Sequence, residues 1–534
     1  RVVPFENEEV NECWISDRDR FSYEGLYTED RLTRPMVRGD DGQWREASWN
    51  DAMQTIVAGM NAVREKFGAD QLGCIGSATS TTEELALLAR LGRALGTENV
   101  DFRLRQTDAR LDGALAGVPW LGMPLTALNE LDRVLVVGSF LRKDHPLMAQ
   151  RLRQAVKRGA QVSFIDSAAD NPLFNAIAGR MTVAPSQLAN SLAQVLVAVA
   201  KAKETAVPAG LESVQVSAEA QQIADSLVSG ERVAVLLGNM AVNSDQASVI
   251  AANAHAIAQA SGAKLGFLTA GGNTVGGYLA NAVPGKGGLT AEQMLAQTLR
   301  AYLVLNVEPA LDSDLGERAV ETLKSATFSV ALTSYRSAAE QWADVMLPVS
   351  PFTETSGTFV NAEGRVQSFK GAAAPVGDTR PAWKVLRVLG NLFQLDGFDD
   401  ETSESVRDSV MAAGVESRLS NQINLAASVL PEGSGLERVA DVPIYRSDAL
   451  VRRSAPLQQT PASAPPTARM AAATLAQLGL VDGDLVKVRS SQGEVSLPAQ
   501  LDDTVALNSV RVATAFSETA ALGSAFGQLT VERA

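Results

Sequence analysis

The sequence predicts a multidomain α/β protein with doubly wound parallel sheets and a C-terminal β-barrel domain. Short apolar runs alternate with helical segments between about residues 72 and 332, which is typical of parallel sheets. A strand-turn-strand pattern near the C-terminus is typical of a small barrel. At 534 residues the chain is too long for one hydrophobic core, and its length suggests about three or four domains.

The clearest unit is a strand, a helix and a second strand. Arg133–Gly138 is an apolar run that ends at glycine, as a buried strand does. Pro146 suits the first position of the following helix, and Gly159 suits its C-terminal cap. Gln161–Asp166 then predicts a second strand, which must run parallel to the first.

The same alternation predicts further elements on both sides of this unit. Leu72–Ser77 is a strand leading into a helix whose start has the Thr81 and Glu84 capping-box spacing and whose end is expected near Gly96. Residues 455–467 are rich in Pro, Ala, Ser and Thr and are expected to form a linker. The remaining predicted strands are at Arg232–Gly238, Lys264–Leu268, Ala301–Asn306, Phe328–Leu332, Val481–Arg489 and Gly493–Ala499.

These elements predict five parts of the chain. We expect an entry segment at 1–50, an α/β domain at 51–130 continued by 331–400, an inserted Rossmann-like α/β domain at 131–330, a helical segment and linker at 401–467, and the barrel domain at 468–534.

Composition excludes several classes of function. The formal net charge of −14 opposes binding to nucleic acid or to an anionic lipid surface. No uncharged apolar run reaches the length of about 18 residues that membrane insertion needs. Cys13 and Cys74 are too few for a disulfide framework or a four-cysteine site, so a reducing, cytoplasmic setting is expected. The N-terminus has no Met and no signal-peptide pattern, so we expect a piece of a longer protein.

Several motifs in a fixed order resemble the molybdopterin oxidoreductase superfamily over almost the whole chain. The most specific is Thr353–Gln367, which reads Thr-Glu-Thr-Ser-Gly-Thr-Phe-Val-Asn-Ala-Glu-Gly-Arg-Val-Gln. The other motifs are Asn11–Phe21, Arg31–Arg38, Asn99–Gln106, Val137–Phe140 and His145-Pro146. The C-terminal barrel is similar to the dinucleotide-binding domain of the superfamily. The chain resembles the branch formed by the G subunit of bacterial NADH:quinone oxidoreductase (respiratory complex I) more than the formate dehydrogenase or nitrate reductase branches.

That resemblance implies a place in the peripheral arm of an enzyme that transfers electrons from NADH to quinone. The chain would lie at the cytoplasmic face of the bacterial inner membrane and would contact other peripheral-arm subunits. Electron transfer in the G subunit is expected through iron-sulfur clusters in an N-terminal region that this sequence lacks. The chain itself is expected to carry no catalytic residue, no metal and no cofactor.

Missing cofactor contacts support this expectation. Active relatives place a metal ligand shortly after the segment that resembles Asn99–Arg105, where this chain has Gln106-Thr-Asp-Ala-Arg. They also contact a guanine dinucleotide through Pro-Arg and Pro-Gly-Thr-Asp, where this chain has Ser167-Ala168 and Pro185-Ser186-Gln187. The alternative is an active molybdopterin-dependent oxidoreductase with an unusual oxygen ligand, Thr107 or Asp108.

The Thr353–Gln367 segment also has a physical meaning of its own. Its glycines allow tight turns, and its polar side chains cluster between apolar runs, which suits either a ligand cradle or a buried turn network. We favour the turn network and regard any cradle as vestigial. The residues concerned are Gly357, Asn361, Glu363, Gly364 and Arg365.

Other candidate residues have modest expected roles. A single thiolate at Cys13 cannot hold a cluster, and the position of a fourth cluster ligand is Ser16. Cys74 is expected in the core. His145 suits a helix start, and His255 lies in an Ala-rich helix.

Two segments complete the set of candidates. Gly271–Gly277 resembles a phosphate-binding loop but lacks the Lys-Ser/Thr ending, so no nucleotide site is expected there. Trp14 in the entry segment is expected to anchor docking to the cluster-bearing region; the alternative is packing within this chain.

Overall fold

The computed structural model describes residues 2–534. Within that range the strands are β1 Met36–Arg38, β2 Trp44–Glu46, β3 Leu72–Ile75, β4 Val100–Asp101, β5 Arg133–Val137, β6 Gln161–Asp166, β7 Gly179–Thr182, β8 Val233–Leu237, β9 Lys264–Phe267, β10 Ala301–Leu305, β11 Phe328–Thr333, β12 Val345–Pro348, β13 Gly357–Val360, β14 Val366–Phe369, β15 Leu436–Val439, β16 Ala468–Met470, β17 Leu485–Arg489, β18 Glu494–Leu501, β19 Ser509–Arg511 and β20 Gln528–Arg533.

The α-helices of the same residues are α1 Asp17–Phe21, α2 Trp49–Phe67, α3 Thr82–Ala94, α4 Arg110–Ala114, α5 Leu141–Asp144, α6 Pro146–Lys157, α7 Leu188–Ala202, α8 Ala218–Val228, α9 Asn239–Asn243, α10 Ala247–Ser261, α11 Thr274–Leu279, α12 Ala291–Gln297, α13 Pro309–Asp312, α14 Glu317–Ser325, α15 Ala382–Leu392, α16 Ser403–Met411, α17 Ala449–Arg452, α18 Ala455–Gln458 and α19 Ala472–Gln477. No helix among residues 2–534 is both long and apolar enough to cross a membrane.

Two parallel sheets form the body of the molecule. The first has seven strands in the order β2-β1-β12-β11-β10-β3-β4, and only the pairings of β1 are antiparallel. The second has five parallel strands in the order β7-β6-β5-β8-β9. Helices cover both faces of each sheet, so the inner strands are buried on both sides, which explains why they read as continuous apolar runs.

Six strands close the C-terminal barrel in the order β15-β19-β16-β18-β17-β20. Closure removes the free strand edges that a small sheet would otherwise expose. Alternating apolar residues of these strands, such as Val486, Val488 and Val510, fill its interior. The predicted α/β architecture with doubly wound parallel sheets and a C-terminal β-barrel is therefore confirmed.

Local signals place several helix ends where the sequence predicts them. The Thr81 side chain accepts a hydrogen bond from the Glu84 amide at 3.2 Å, and the Glu84 carboxylate accepts one from the Thr81 amide at 2.8 Å. This capping box starts α3. Gly96 and Gly159 follow the ends of α3 and α6 with φ of +97° and +101°, a backbone conformation that favours glycine.

Strand pairing differs from the prediction in two places. We expected the strand at 301–306 within the inserted domain at 131–330 and the strand at 328–332 across the end of that domain, but β10 and β11 pair with β3 and β12 in the first sheet. The second sheet therefore ends at β9. Buried strands of either sheet have the same apolar pattern, so the sequence does not reveal which sheet a strand joins. The limits of the domains themselves remain a prediction.

The barrel also begins earlier in the chain than expected. Strand β15 pairs with β19 and β20, although it precedes the predicted barrel at 468–534. Between them, the predicted linker at 455–467 is not extended throughout. It contains helix α18, and Leu457 is buried at 2% exposure. This segment is thus packed on the molecule.

Candidate functional site

A cavity of about 1090 Å³ lies where the two sheets, the barrel and the entry segment meet. Its walls come from the loops that follow strands of both sheets, from the β13–β14 hairpin and from the segments before and within the barrel. Nine aromatic side chains contribute: Phe102, Phe140, Phe267, Tyr278, Tyr335, Phe352, Phe359, Phe369 and Phe526. A concave, largely apolar space of this size is where a small-molecule site is expected.

The β13–β14 hairpin is held in place by two buried polar side chains. The Glu83 carboxylate accepts hydrogen bonds from the Thr358 amide at 2.8 Å and from its hydroxyl at 2.6 Å. Asn273, in the glycine-rich loop, accepts from the Val360 amide at 2.8 Å and donates to the Ser80 carbonyl at 2.8 Å. These bonds pin the hairpin to the start of α3.

Four of the five residues of the predicted vestigial cradle form the turn of this hairpin. Asn361 Oδ1 accepts from the amides of Glu363 and Arg365, at 3.1 and 3.0 Å. Glu363 accepts from Arg365 Nε at 2.9 Å and from the Leu125 amide at 2.7 Å. Gly364 has a φ of +85°. The polar groups of the turn thus bind one another and the neighbouring loop.

The fifth cradle residue, Gly357, marks a close approach. A Cβ atom there would lie 2.3 Å from Thr81 Cγ2, so only glycine allows the hairpin to meet the start of α3. None of the five cradle residues lines the cavity. Its hairpin wall is built instead from Phe359, Gln367, Ser368 and Phe369.

The positions considered as unusual metal ligands are turned away from the cavity. Thr107 donates its hydroxyl to the Asn243 carbonyl at 2.9 Å. Asp108 accepts from Arg110 Nε at 2.7 Å and from the Ser248 amide at 2.9 Å near the start of α10. These contacts hold the pKa of Asp108 below its usual value, although burial opposes this. Of the stretch 106–110, only Gln106 lines the cavity.

The positions that the resemblance places against a dinucleotide contact the barrel instead. Ala168 pairs with Val505, and the Ser167 carbonyl accepts from the Ala506 amide at 3.1 Å. The Ser186 amide and hydroxyl donate to Glu437 at 2.9 and 2.5 Å. Neither Ser167-Ala168 nor Pro185-Ser186-Gln187 lines the cavity. Both positions are therefore occupied by contacts with the barrel of the same chain.

The charged groups around the cavity are mostly acidic. Its three arginines are Arg18, Arg103 and Arg105, and its seven carboxyl residues are Asp19, Glu84, Asp144, Glu308, Asp312, Asp441 and Asp448. Such a lining lowers the affinity for an anion and raises it for a cation.

The arginines are already engaged within the protein. Arg18 pairs with Asp448, and Arg103 Nε donates to Asp101 Oδ1 at 2.8 Å. Arg105 donates to the Leu311 carbonyl at 2.6 Å and to the Thr514 hydroxyl at 3.2 Å, and burial lowers its pKa. Little positive charge therefore remains for a ligand.

The two cysteines lie away from the cavity. Cys74 is fully buried in the core beside α3, and burial raises the pKa of its thiol to about 12. Its predicted core position is confirmed. Cys13 is exposed in the entry segment, and Ser16 caps α1 by accepting from the Asp19 amide at 3.2 Å. No group of three or more His, Cys, Asp or Glu side chains among residues 2–534 is arranged to hold a metal ion.

The two histidines differ in their surroundings. His145 lines the cavity at 7% exposure, and its Nε2 donates to the Thr269 carbonyl at 2.9 Å. Burial lowers the pKa of His145 to about 4, so its ring is neutral at pH 7. It occupies the N-cap position of α6 but makes no capping bond with its side chain. His255 lies on α10, with its Nε2 3.2 Å from Gln422 Oε1.

Three important residues were missed by sequence reasoning. Glu83 and Asn273 hold the hairpin, and Asp144 faces the cavity. An Asn within the Gly271–Gly277 loop was a usable signal, because a buried amide can bridge backbone groups of two segments. No local signal distinguishes Asp144 from a surface aspartate at a helix end.

Family models match most of this chain. The model for molybdopterin oxidoreductase matches residues 31–392, and that for the molydopterin dinucleotide binding domain matches residues 445–534. The chain belongs to the molybdopterin oxidoreductase family. The model named NADH-ubiquinone oxidoreductase NDSU1/NuoG-like, 4Fe-4S domain matches residues 1–24. Part of this domain type therefore lies within the chain, and Cys13 is the one cysteine among residues 1–24.

Three individual relatives are subunits of NADH-quinone or NADH-ubiquinone oxidoreductases. The chain is 28% identical to the G subunit of NADH-quinone oxidoreductase from Streptomyces coelicolor, over 93% of this chain and 62% of the relative. It is 27% identical to the corresponding protein of Mycobacterium bovis, over 94% of this chain and 64% of the relative. It is 27% identical to the 78 kDa NADH-ubiquinone oxidoreductase subunit of Candida albicans, over 73% of this chain and 48% of the relative. The chain thus spans between about half and two thirds of these relatives.

One solved structure shares the fold of this chain. Acetylene hydratase from Pelobacter acetylenicus matches with a TM-score of 0.68 at 14% identity, over 94% of this chain and 89% of that chain. At this identity the match establishes the shared fold only.

Proposed function

We propose that this chain is the large molybdopterin-oxidoreductase-like part of the G subunit of a respiratory NADH:quinone oxidoreductase. The support is its similarity to bacterial G subunits over more than nine tenths of its length. In this role it is a peripheral subunit at the cytoplasmic face of the bacterial inner membrane. Its partners are other peripheral-arm subunits of complex I, and the complex transfers electrons from NADH to quinone.

Within that complex the chain acts as a scaffold without its own pterin cofactor. The observation that carries this proposal is the composition of the cavity lining. A molybdopterin dinucleotide has phosphate groups, but the three arginines of the lining already bind protein groups, no lysine lines the cavity, and five of its seven carboxyl residues form ion pairs with arginines. Burying an anion beside carboxylates is unfavourable because the charges repel one another in a low-dielectric space.

The residues that would hold such a cofactor also have other partners. No cysteine lies in the lining, and Thr107 and Asp108 are hydrogen-bonded elsewhere. Segments 167–168 and 185–187 bind the barrel. The residues present therefore do not fit the group that the family name implies.

Metal and pterin analysis tests the scaffold proposal. The chain is produced in cells that assemble an active molybdoenzyme, which is purified in parallel as the positive control. Molybdenum and tungsten are measured by mass spectrometry, and released pterin by fluorescence. We expect neither above background. A stoichiometric metal together with a releasable pterin would establish the active-enzyme alternative instead.

Iron-sulfur content is tested separately, because residues 1–24 match a 4Fe-4S domain. We expect no stable cluster after reconstitution with iron and sulfide, since Cys13 is a lone thiolate and Cys74 is buried. A cluster that forms on this chain and is lost in Cys13→Ala would show that Cys13 is a ligand.

A further inference from the structure

We propose that the cavity binds a small organic cation with a flat apolar body, of the aryl amidine class, through the Asp144 carboxylate. This inference does not depend on the proposed function. It rests on the surroundings of Asp144, on an unpaired acceptor at His145 and on the apolar side chains that line the cavity.

Asp144 differs from the other carboxyl residues of the cavity. Five of those six form ion pairs: Asp19 and Asp448 with Arg18, Glu308 and Asp312 with Arg452, and Asp441 with Arg511. The sixth, Glu84, completes the capping box of α3. Among the described residues, no lysine, arginine or histidine lies within 4 Å of the Asp144 carboxyl. Asp144 is thus the carboxyl that a cationic ligand can pair with.

The position of Asp144 in the fold favours a ligand. The second sheet has its strand order reversed between β5 and β8, and ligands bind in the crevice at the carboxyl ends of such strands. Phe140 and Asp144 follow β5, whereas Asn239 and Met240 follow β8. All four line the cavity.

His145 supplies a second acceptor beside Asp144. Its Nε2 must carry the ring proton because the Thr269 carbonyl can only accept. Its Nδ1 is therefore a lone-pair acceptor, and this buried atom has no partner among the described residues. This atom has almost no exposed surface in the empty cavity, so a ligand N–H group reaches it only when neighbouring side chains move, and the Asp144 carboxylate is the principal contact.

Apolar surfaces surround these acceptors. Phe140, Met240 and Phe267 line the cavity and belong to one hydrophobic cluster, and the Arg511 guanidinium lies 4.3 Å from the Phe140 ring centroid. That guanidinium is paired with Asp441 at 3.0 Å, so Asp144 does not share it through an ion pair. A flat ring between such side chains buries apolar area, while its N–H groups face the acceptors.

Binding of a cation to Asp144 is coupled to loss of a proton. Burial raises the pKa of Asp144 to about 8, with a further contribution from the Asp441 charge and a smaller one from Asp170, while a hydrogen bond from the Phe140 backbone and the Arg511 charge oppose the shift. The empty cavity at pH 7 therefore holds Asp144 mainly protonated. A cation stabilises the ionised form. Affinity for a permanently charged cation should rise as the pH increases from 6 to about 8.

Calorimetric titration of the full chain with three probes of the same shape tests the proposal. Benzamidine is cationic, benzamide is neutral and benzoate is anionic. We expect benzamidine to bind at least tenfold more tightly than either of the others at pH 8. Repeating the titration in two buffers of different ionisation enthalpy should show release of a proton at pH 6.5.

Two variants locate the site. Asp144→Asn removes the charge without changing the shape and should weaken benzamidine binding at least tenfold. Asp396→Asn removes an exposed charge far from the cavity lining and should leave binding unchanged. Thermal melting of both variants establishes that they fold. The proposal is overturned if benzamidine does not bind, if benzoate binds equally well, or if folded Asp144→Asn binds benzamidine as the natural chain does.

Discussion

The Glu363 carboxylate joins two separate loops: one oxygen accepts from the Leu125 amide at 2.7 Å, and the other accepts from Arg365 Nε at 2.9 Å. The Glu363 side chain is 5% exposed. The hairpin turn is thereby attached to the segment that leads into the second sheet. A charge-assisted bond to a backbone amide in such a setting is stronger than a neutral one.

Glu363→Ala should destabilise the protein through this link. The change leaves the buried Leu125 amide without its acceptor and leaves Arg365 paired only with the exposed Glu9, and we expect a loss of about 1–3 kcal/mol. Thermal melting and native-state hydrogen exchange at Leu125 measure it. Glu9→Ala is the matched control, since Glu9 pairs with the same arginine at 2.7 Å but its side chain is 66% exposed. Its loss should stay below about 1 kcal/mol. Equal losses in both variants would contradict the role given to Glu363.

Cys74 should resist alkylation in the native protein. Burial both shields its thiol and raises its pKa to about 12, whereas Cys13 is exposed. Because the thiolate is the reactive form, iodoacetamide should modify Cys13 alone at pH 8 and both thiols in guanidinium chloride. Peptide mass spectrometry reports the modified sites. Comparable native rates at the two cysteines would mean that the strand containing Cys74 opens readily.

His145 should make the protein less stable as the pH falls below about 6.5. Its pKa in the folded protein, about 4, lies below the unfolded value, because burial disfavours the charged ring. The unfolded chain therefore takes up the proton first. The stability contribution is complete above the unfolded pKa and decreases towards pH 4 by about 1.4 kcal/mol per pH unit.

Proton NMR follows this titration directly, because the chain has only two histidines. His255→Gln assigns the two C2–H signals. His145→Gln keeps an N–H donor for the Thr269 carbonyl and should reduce the acid-dependent loss of stability. A His145 signal that titrates near pH 6.5 would show that the ring is not buried as described.

Local interactions explain which parts of the fold the sequence predicts well. The Thr81 and Glu84 capping box and the glycines after α3 and α6 act within a few residues, so their patterns are visible in the sequence. Strand β15 was not predicted because its sequence, Leu-Glu-Arg-Val, has charged residues at both central positions. Its Arg438 is buried at 1% exposure and donates to the carbonyls of Gly523 and Ser524 at 2.8 and 2.7 Å. Those partners lie more than 80 residues away.

The residues that line the cavity also come from parts of the sequence that are far apart. The motif Thr353–Gln367 indicated the right hairpin, but the residues of the motif that line the cavity are Thr355, Phe359 and Gln367 and not the five predicted cradle residues. Asp144 is an acidic residue at a helix end in the sequence, yet its pKa is raised by burial and, to a smaller extent, by the charge of Asp441, almost 300 positions later. Sequence pattern alone does not specify which charges come together in three dimensions.

Trp14 of the entry segment is expected to take part in assembly with other subunits. Trp14 is 50% exposed, and the turn that presents it is fixed by Asn11, whose Nδ2 donates to the Trp14 carbonyl at 2.9 Å. A half-exposed indole contributes little to the core of this chain. Trp14→Ala should therefore change the stability of the isolated chain by less than about 0.5 kcal/mol.

In the full-length protein the same change should reduce the yield of assembled peripheral arm, because an exposed aromatic side chain on an ordered turn is the kind of residue that anchors an interface. Leu485→Ala, which removes a 54% exposed apolar side chain from the barrel, is the control and should leave assembly unchanged. Thermal melting of the isolated chain and quantification of the assembled arm on native gels separate the two effects. Loss of assembly with unchanged melting supports docking through Trp14. A loss of melting temperature alone, or equal loss of both, would show that Trp14 stabilises this chain internally and that the interface lies elsewhere.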